Sequence, residues 1–426
     1  MIQATQATKL AIDGGAPAVT TPLPPMYPGG MRIGAEEEEA VLRVLRSKRL
    51  YRYYGPTDEP SRVAELEDAF APVVGVKHAA AVSSGCASLI CALAGLGVGP
   101  GDEVIVPAYT WIATASAVMA VGAVPILAEV DESLTLDPAD AERKITRHTK
   151  AIIPVHMRGA PSAMDEALAV ARRHDLKVLE DVAQADGGSY RGRRLGGIGD
   201  VGAFSLQFNK ILTCGEGGMV TTNDDAIHAR VLMYNDVAGG LRNHIPEAEI
   251  LPGINFRMSE LQGAVALVQL GRLDDLLATM RRNKTRIKEG IAEVARRKGV
   301  AFRRLNDPAG DGGVAIIFFL PTPERAAYVV RALEAEGVDA SLVYDPEQVD
   351  YHVYAHWTPI LDKRTWSANG GPWRWHSAEV AYTRDMCPRT LDLTGRAVHL
   401  NVSPELTDQN MTEMVEAVNK VLSAAL

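Results

Sequence analysis

The chain has 426 residues, 47% of them hydrophobic and 23% charged, with 44 Lys and Arg against 53 Asp and Glu for a formal charge of −9. Such ordinary composition excludes a disordered, collagenous or coiled-coil chain, and the length suits two or three domains of ~100–200 residues around a substantial core. Net acidity gives no electrostatic case for nucleic acid or a membrane partner; the four cysteines, Cys86, Cys91, Cys214 and Cys387, form no C-x-x-C pair and fit a reducing cytoplasmic setting.

Residues 1–30 read as an extended Pro-rich arm without the apolar core of a secretory signal. Helical patterns follow at 35–47 and 60–72. From residue 79, the apolar runs AAAV, EVIVPA, VPILAEV, KAIIPV and KVLEDV alternate with helical runs that start near Gly85, Trp111, Pro138 and Ser162. This alternation predicts βαβ units and an α/β fold with a mostly parallel sheet covered by helices on both faces. Val104 to Ala128 carries no charge and is long enough to span a bilayer, but Pro107, Pro125, Tyr109, Thr110, Thr114 and Ser116 break it into strand, loop, buried helix and strand.

Short strands with Gly-rich turns are expected around 189–223, and a helical pattern fills about 258–299, crossing between domains. A smaller α/β unit follows. It has strand VAIIFFLP, helix ERAAYVVRALEAEG, an irregular Trp-rich stretch near 350–376, strand AVHLNV and a last helix from Thr407. The expected division is an arm over 1–30, a large domain over 31–270 and a small domain over 271–426.

In such sheets ligands gather beyond the carboxyl ends of the strands. Strand KVLEDV ends in Asp181, with Gln184 just beyond it; strand AFSL ends in Ser205, and Lys210 follows before the turn Gly215-Glu216-Gly217-Gly218. Phe208, Ile211 and Leu212 surround Lys210 with apolar groups, and burial lowers an amine's pKa, as Schiff-base chemistry requires. An acidic residue that keeps a pyridine nitrogen protonated is the usual companion of such a lysine. Taken singly, a strand-end Asp reads more plainly as a cap or turn residue and a lysine as solvated; together and in this order, with the Gly-rich turn, they read as chemistry.

Ser83-Ser84-Gly85-Cys86-Ala87-Ser88 joins strand AAAV to a helix, and a helix N-terminus with a glycine suits a phosphate, although simple N-capping is the plainer reading. Trp111 can stack on a flat ring or pack in the core. Asn255, in Gly253-Ile254-Asn255-Phe256-Arg257-Met258, can donate to a phosphate or open a helix.

These segments, in this order, resemble the DegT/StrS family of aminotransferases that use pyridoxal 5′-phosphate (PLP). EDVAQADG, SLQFNKILTCGEGG and GINFRMSELQGA carry the likeness; LAIDGGAP resembles its cyclitol branch, and PVHMRG with FSLQFNK resembles its aminohydroxybenzoate synthases. The resemblance implies a fold type I architecture, with a mostly parallel seven-stranded sheet and a smaller C-terminal α/β domain.

It also implies catalytic Lys210 and Asp181. Lys210 would be the Schiff-base lysine that also shuttles protons, and Asp181 the partner of the pyridine nitrogen. Gln184 would lie near the phenolic oxygen and Trp111 over the ring. Gly85, Cys86 and Ser205 would hold the phosphate, with Asn255 reaching in from a second subunit of a homodimer. Cys86 stands where the family usually has Thr, and a thiol is a weak donor, so the backbone must serve there.

The implied reaction transfers an amino group from L-glutamine or L-glutamate to a keto-sugar or keto-cyclitol, as in aminoglycoside-like biosynthesis. A PLP lyase, an aminohydroxybenzoate-type synthase and a PLP-binding regulator without turnover stay open. Tyr51, Arg52, Tyr53 and Tyr54 suggest a specificity loop or rim aromatics; Arg158 suits a carboxylate, a phosphate or the open surface. His244 reads as a solvated loop histidine, with a reach to a neighbouring subunit's site as the bolder alternative. His352, Tyr354, His356 and Trp357 lack acidic or Cys support for a metal and read as a packed irregular segment.

Overall fold

The computed structural model describes residues 9–53 and 60–425. Its strands, in chain order, are β1 (His78–Val82), β2 (Glu103–Pro107), β3 (Val124–Ala128), β4 (Thr149–Ile152), β5 (Lys177–Asp181), β6 (Ser189–Tyr190), β7 (Arg193–Arg194), β8 (Val201–Ser205), β9 (Gly218–Thr222), β10 (Ala301–Phe302), β11 (Ala315–Phe319), β12 (Ala340–Leu342) and β13 (Ala397–Asn401). Seven of them form one sheet in the order β1-β9-β8-β5-β4-β2-β3, in which only β9 runs against the rest.

Both faces of this sheet are covered, which explains why its strands read as continuous apolar runs. Alternate residues of β1 show it. Ala80 and Val82 pack with Leu89 and Cys91 of the Gly85–Gly95 helix, whereas Ala79 and Ala81 pack with Val63, Leu66 and Phe70 of the Arg62–Val74 helix. The uncharged stretch resolves into β2, the Ala113–Ala120 helix and β3. No described helix is long and apolar enough to cross a membrane.

A second sheet, β10-β11-β13-β12, is antiparallel. One face, with Ile316, Phe318, Val398 and Leu400, packs beneath the Pro323–Ala335 and Asp408–Ala425 helices. The other, with Ala315, Ile317 and Ala397, joins the cluster of the large sheet.

Several expectations change. The helical pattern over 258–299 is two helices, Glu260–Leu270 and Leu273–Arg297, interrupted at Gly271 and Arg272. Arg272 is drawn aside by ion pairs to Glu36 and Glu37. The Asp225–Asn235 helix, capped by the Asp224 side chain, was not among the expected elements. The arm is docked: Leu10 and Val19 are buried in the small-sheet cluster, and the backbone N–H groups of Ala11 and Ala18 both donate to the Glu336 carboxylate at 2.8 Å.

Candidate active site

A cavity of about 570 Å³ opens at the carboxyl ends of the large sheet and is closed from the opposite side by the small one. The turn after β1 brings Ser84, Gly85 and Cys86 to it; the segment after β2 brings Trp111 and Thr114; β5 brings Asp181, with Gln184 behind it; β8 brings Ser205, and the following loop Lys210. All the expected cofactor residues but one therefore meet in a single place. The exception is Asn255, which is exposed and accepts a hydrogen bond from its neighbour Arg257 N–H at 3.2 Å.

Asp181 is 3% exposed. One of its oxygens accepts from the Thr114 hydroxyl at 2.8 Å, and the other from the Ala183 N–H at 3.1 Å. Burial pushes its carboxyl above the usual range, opposed first by the Thr114 hydrogen bond. Thr110 extends the relay, its hydroxyl lying 2.9 Å from that of Thr114. Thr114 did not stand out as a site residue, yet a lone Thr in the apolar helix ATASAVMA is a signal of that kind.

Lys210 is half-buried, and burial pulls its ammonium below a lysine's ordinary range, with Asp186 and then Asp181 pulling it back. Asp186 was also missed. It is 1% exposed and neither carboxylate oxygen has a hydrogen-bond partner; the nearby Leu212 N–H falls short of hydrogen-bond geometry. Burial pushes its carboxyl up to about 8.

At the other end of the cavity, the Ser84 side chain caps the Gly85–Gly95 helix by accepting from the Ala87 N–H at 3.1 Å. Ser88 ties the same helix to β8 by donating to the Phe204 carbonyl at 2.9 Å. The N–H groups and positive dipole end of this helix thus face the cavity beside Ser205. Gly85 is required for packing as well as for approach to an anion: a Cβ there would lie 2.6 Å from the Cβ of Ser205. Burial, then the charge of Asp181, pushes the Cys86 thiol up, so it stays protonated and is no activated nucleophile.

Arg158 lies in the cavity wall, not on the open surface. Its backbone is left-handed (φ 51°, ψ 46°), a conformation that costs a residue with a Cβ about 1–2 kcal/mol. The loop holds it there: its N–H donates to Gln184 Oε1 at 3.2 Å, and its carbonyl accepts from the buried Arg303 guanidinium at 3.2 Å. His156, two residues earlier, is structural. Its Nδ1 accepts from the Ser162 N–H, which leaves Nε2 to donate to buried Glu180 at 3.2 Å.

His352 departs from the expected packed segment, for it lines the cavity while Tyr354, His356 and Trp357 are buried. Its ring centroid lies 4.9 Å from that of Trp111, and its Nδ1 is 2.7 Å from an Asp350 oxygen. His399 and Asn401 of β13 complete that wall.

Tyr51, Arg52 and Tyr53 do not line the cavity, and Tyr54 lies outside the described residues. Arg52 forms a two-pronged ion pair with buried Glu67, and Arg242 stacks over Tyr53 at 4.8 Å. His244 is exposed, with a left-handed backbone. Among the described residues no group of His, Cys, Asp or Glu is arranged to hold a metal ion.

Residues 31–369 match the DegT/DnrJ/EryC1/StrS aminotransferase family. The chain is 36% identical over 430 residues to an L-glutamine:2-deoxy-scyllo-inosose aminotransferase of Streptoalloteichus tenebrarius, covering 97% of each. It is 45% identical over 304 residues to the GDP-perosamine synthase of Caulobacter vibrioides, covering 69% of this chain and 79% of that one. Among solved structures, 3-amino-5-hydroxybenzoic acid synthase is similar with a TM-score of 0.79, 26% identity and coverage of 95% and 100%. DesV of S. venezuelae is similar with a TM-score of 0.76, 31% identity and coverage of 94% and 99%.

Proposed function

Because this chain belongs to the DegT/DnrJ/EryC1/StrS aminotransferase family, we propose that it uses PLP to move an amino group from L-glutamine or L-glutamate to a keto-cyclitol or keto-sugar. The observation that carries the reading is the meeting of Lys210, Asp181 and the Gly85–Gly95 helix end in one cavity. One relative that matches over nearly the whole chain is an L-glutamine:2-deoxy-scyllo-inosose aminotransferase, which supports the donor and the cyclitol acceptor.

The residues fit the cofactor. The helix N-terminus, Gly85 and the Ser205 hydroxyl form a cradle for a phosphate, and backbone N–H groups serve at Cys86, whose thiol is a poor donor. Asp181, buried and oriented by Thr114, would hold a proton at the ring nitrogen. Gln184 would lie beside the phenolic oxygen, and Trp111, 44% exposed at the cavity's edge, would cover one ring face and exclude water.

Bound PLP supplies an aldehyde that exchanges amino groups and a ring that stabilises negative charge at the reacting carbon. Lys210 does the rest. Its amine is the nucleophile that anchors the cofactor, and its lowered basicity keeps a neutral fraction available to take a proton from the donor Cα and return one to the acceptor carbon. Asn255 is exposed on the surface of one chain, which suits a role at a second copy's site in a homodimer.

Borohydride reduction followed by peptide mapping tests this reading: the reduced pyridoxyl group is expected on Lys210, and a label elsewhere or none overturns it. Lys210→Ala is expected to lower amino transfer at least roughly 100-fold, measured as glutamine-dependent formation of the amino-cyclitol. Similarity to 3-amino-5-hydroxybenzoic acid synthase favours, as a second reading, an aromatising synthase. Keto-acid formed in step with amino-cyclitol supports transfer; loss of water without keto-acid supports the synthase.

A further inference from the structure

The guanidinium of Arg158 makes no hydrogen bond and no ion pair with any described residue, although it lines the same cavity as Lys210 and its Nε is fully buried. A cation that faces a cavity without a hydrogen-bonded partner, its Nε already withdrawn from water, is placed to receive an anionic ligand. Its backbone is left-handed, and Gln184 and Arg303 hold it in place. Backbone strain maintained at a cavity wall points to function.

The neighbours give this charge no hydrogen bond or ion pair, although Asp350 feels it through space. His352 is pulled below its ordinary range by burial, and His399 well below it, so both imidazoles stay neutral. The Asp350 carboxylate is engaged with His352 Nδ1 at 2.7 Å, and Asn401 with Asp339 at 2.7 Å. The wall therefore presents one permanent cation flanked by neutral hydrogen-bonding groups. A polyol acceptor without an acidic group would leave that cation unpaired; an α-amino acid brings a carboxylate one bond from the reacting carbon.

We propose that Arg158 is the subsite for the α-carboxylate of the amino-acid donor, with His352, His399 and Asn401 contacting the polar groups that replace the carboxylate when the acceptor binds. The inference rests on the aminotransferase reading and deepens it. A guanidinium holds a carboxylate by paired charge-assisted hydrogen bonds, so removing it weakens donor binding while leaving the chemistry at Lys210 in place.

The test uses the PLP-loaded protein, titrated with glutarate, a carboxylate probe that cannot react, and separately with inositol 1-phosphate, followed through the cofactor's absorbance. With Arg158→Met the dissociation constant for glutarate is expected to rise roughly 10- to 100-fold, and that for inositol 1-phosphate to stay within about threefold. Arg158→Lys is expected to recover part of the loss. Since position 158 already carries a side chain on a left-handed backbone, neither variant adds backbone strain, and the melting temperature checks that both fold.

In the half-reaction with L-glutamine, Arg158→Met is expected to raise KM by a similar factor, whereas the return half-reaction with scyllo-inosose changes little. Unchanged glutarate binding overturns the inference, as does a loss confined to inositol 1-phosphate, which would assign the site to a phosphorylated acceptor. If the wild-type protein binds glutarate through Arg158 yet transfers no amino group from any donor, the aminotransferase reading fails and the carboxylate subsite stands.

Discussion

At the residue scale the carboxyl of Asp186 responds most directly to pH. Its folded pKa, about 8, stands above an aspartate's ordinary 3.8, so between those limits the folded chain holds a proton that the unfolded chain has released. Stability contributed by this group is therefore present at low pH and lost as pH rises through that window. Asp186→Asn removes the slope: the melting temperature of the variant relative to wild type, both without cofactor, is expected to climb between pH 5 and 8.5, and a flat difference would refute the burial argument.

Thr114 permits a second test. Thr114→Val takes the 2.8 Å donor from Asp181 and leaves a buried acceptor short of a partner, so a loss of about 1–3 kcal/mol in denaturant unfolding is expected. Lys210, Asp181 and Gly85 were legible in the sequence because each sits at a strand end or turn with a recognisable flank. Thr114, Asp186 and His399 were not. They come from the first turn of a helix, a turn and a distant strand, and only the tertiary fold brings them to Lys210.

At the scale of elements, the alternating strands and helices of the large sheet were readable because burial on both faces leaves each strand a short, wholly apolar run. β10 and β12 were not, since a two- or three-residue strand exists only through its partners β11 and β13. The break at Gly271 and Arg272 hides inside unbroken helical periodicity, although the glycine itself was a visible cue. The Gly85–Gly95 helix offers the sharpest element-level test. Gly85→Ala drives a Cβ to 2.6 Å from that of Ser205, so the helix start must shift from β8; a cost of about 1–3 kcal/mol and weakened PLP binding are expected by titration, with partial relief from Ser205→Gly.

For the whole molecule, we propose that the chain divides as the sequence suggested, into an arm, a large unit and a small one, with the arm fastened chiefly by Glu336. That carboxylate is fully buried, accepts from Ala11 and Ala18, and pairs with Lys420 at 2.8 Å. Its pKa lies below the ordinary value; burial raises it, but the Lys420 contact and both backbone donors outweigh that. The stability it contributes is thus present above a glutamate's usual pKa and lost as pH falls through the folded value. Limited proteolysis is expected to cleave before residue 20 faster in Glu336→Gln than in wild type at pH 7, and the difference is expected to narrow under acid.

The Leu273–Arg297 helix buries Leu276, Leu277 and Met280 against the large sheet's core and Ile287, Ile291 and Ala295 against the small sheet's. Its 25 residues make an unbroken rod of roughly 37 Å, clamped at both ends. A spar of that kind resists hinging, so the gap between the sheets is set when the protein folds. On the proposed reading, molecules would be sorted by their fit to a preset aperture, and stopped-flow binding is expected to show a single concentration-dependent phase with no slow opening step.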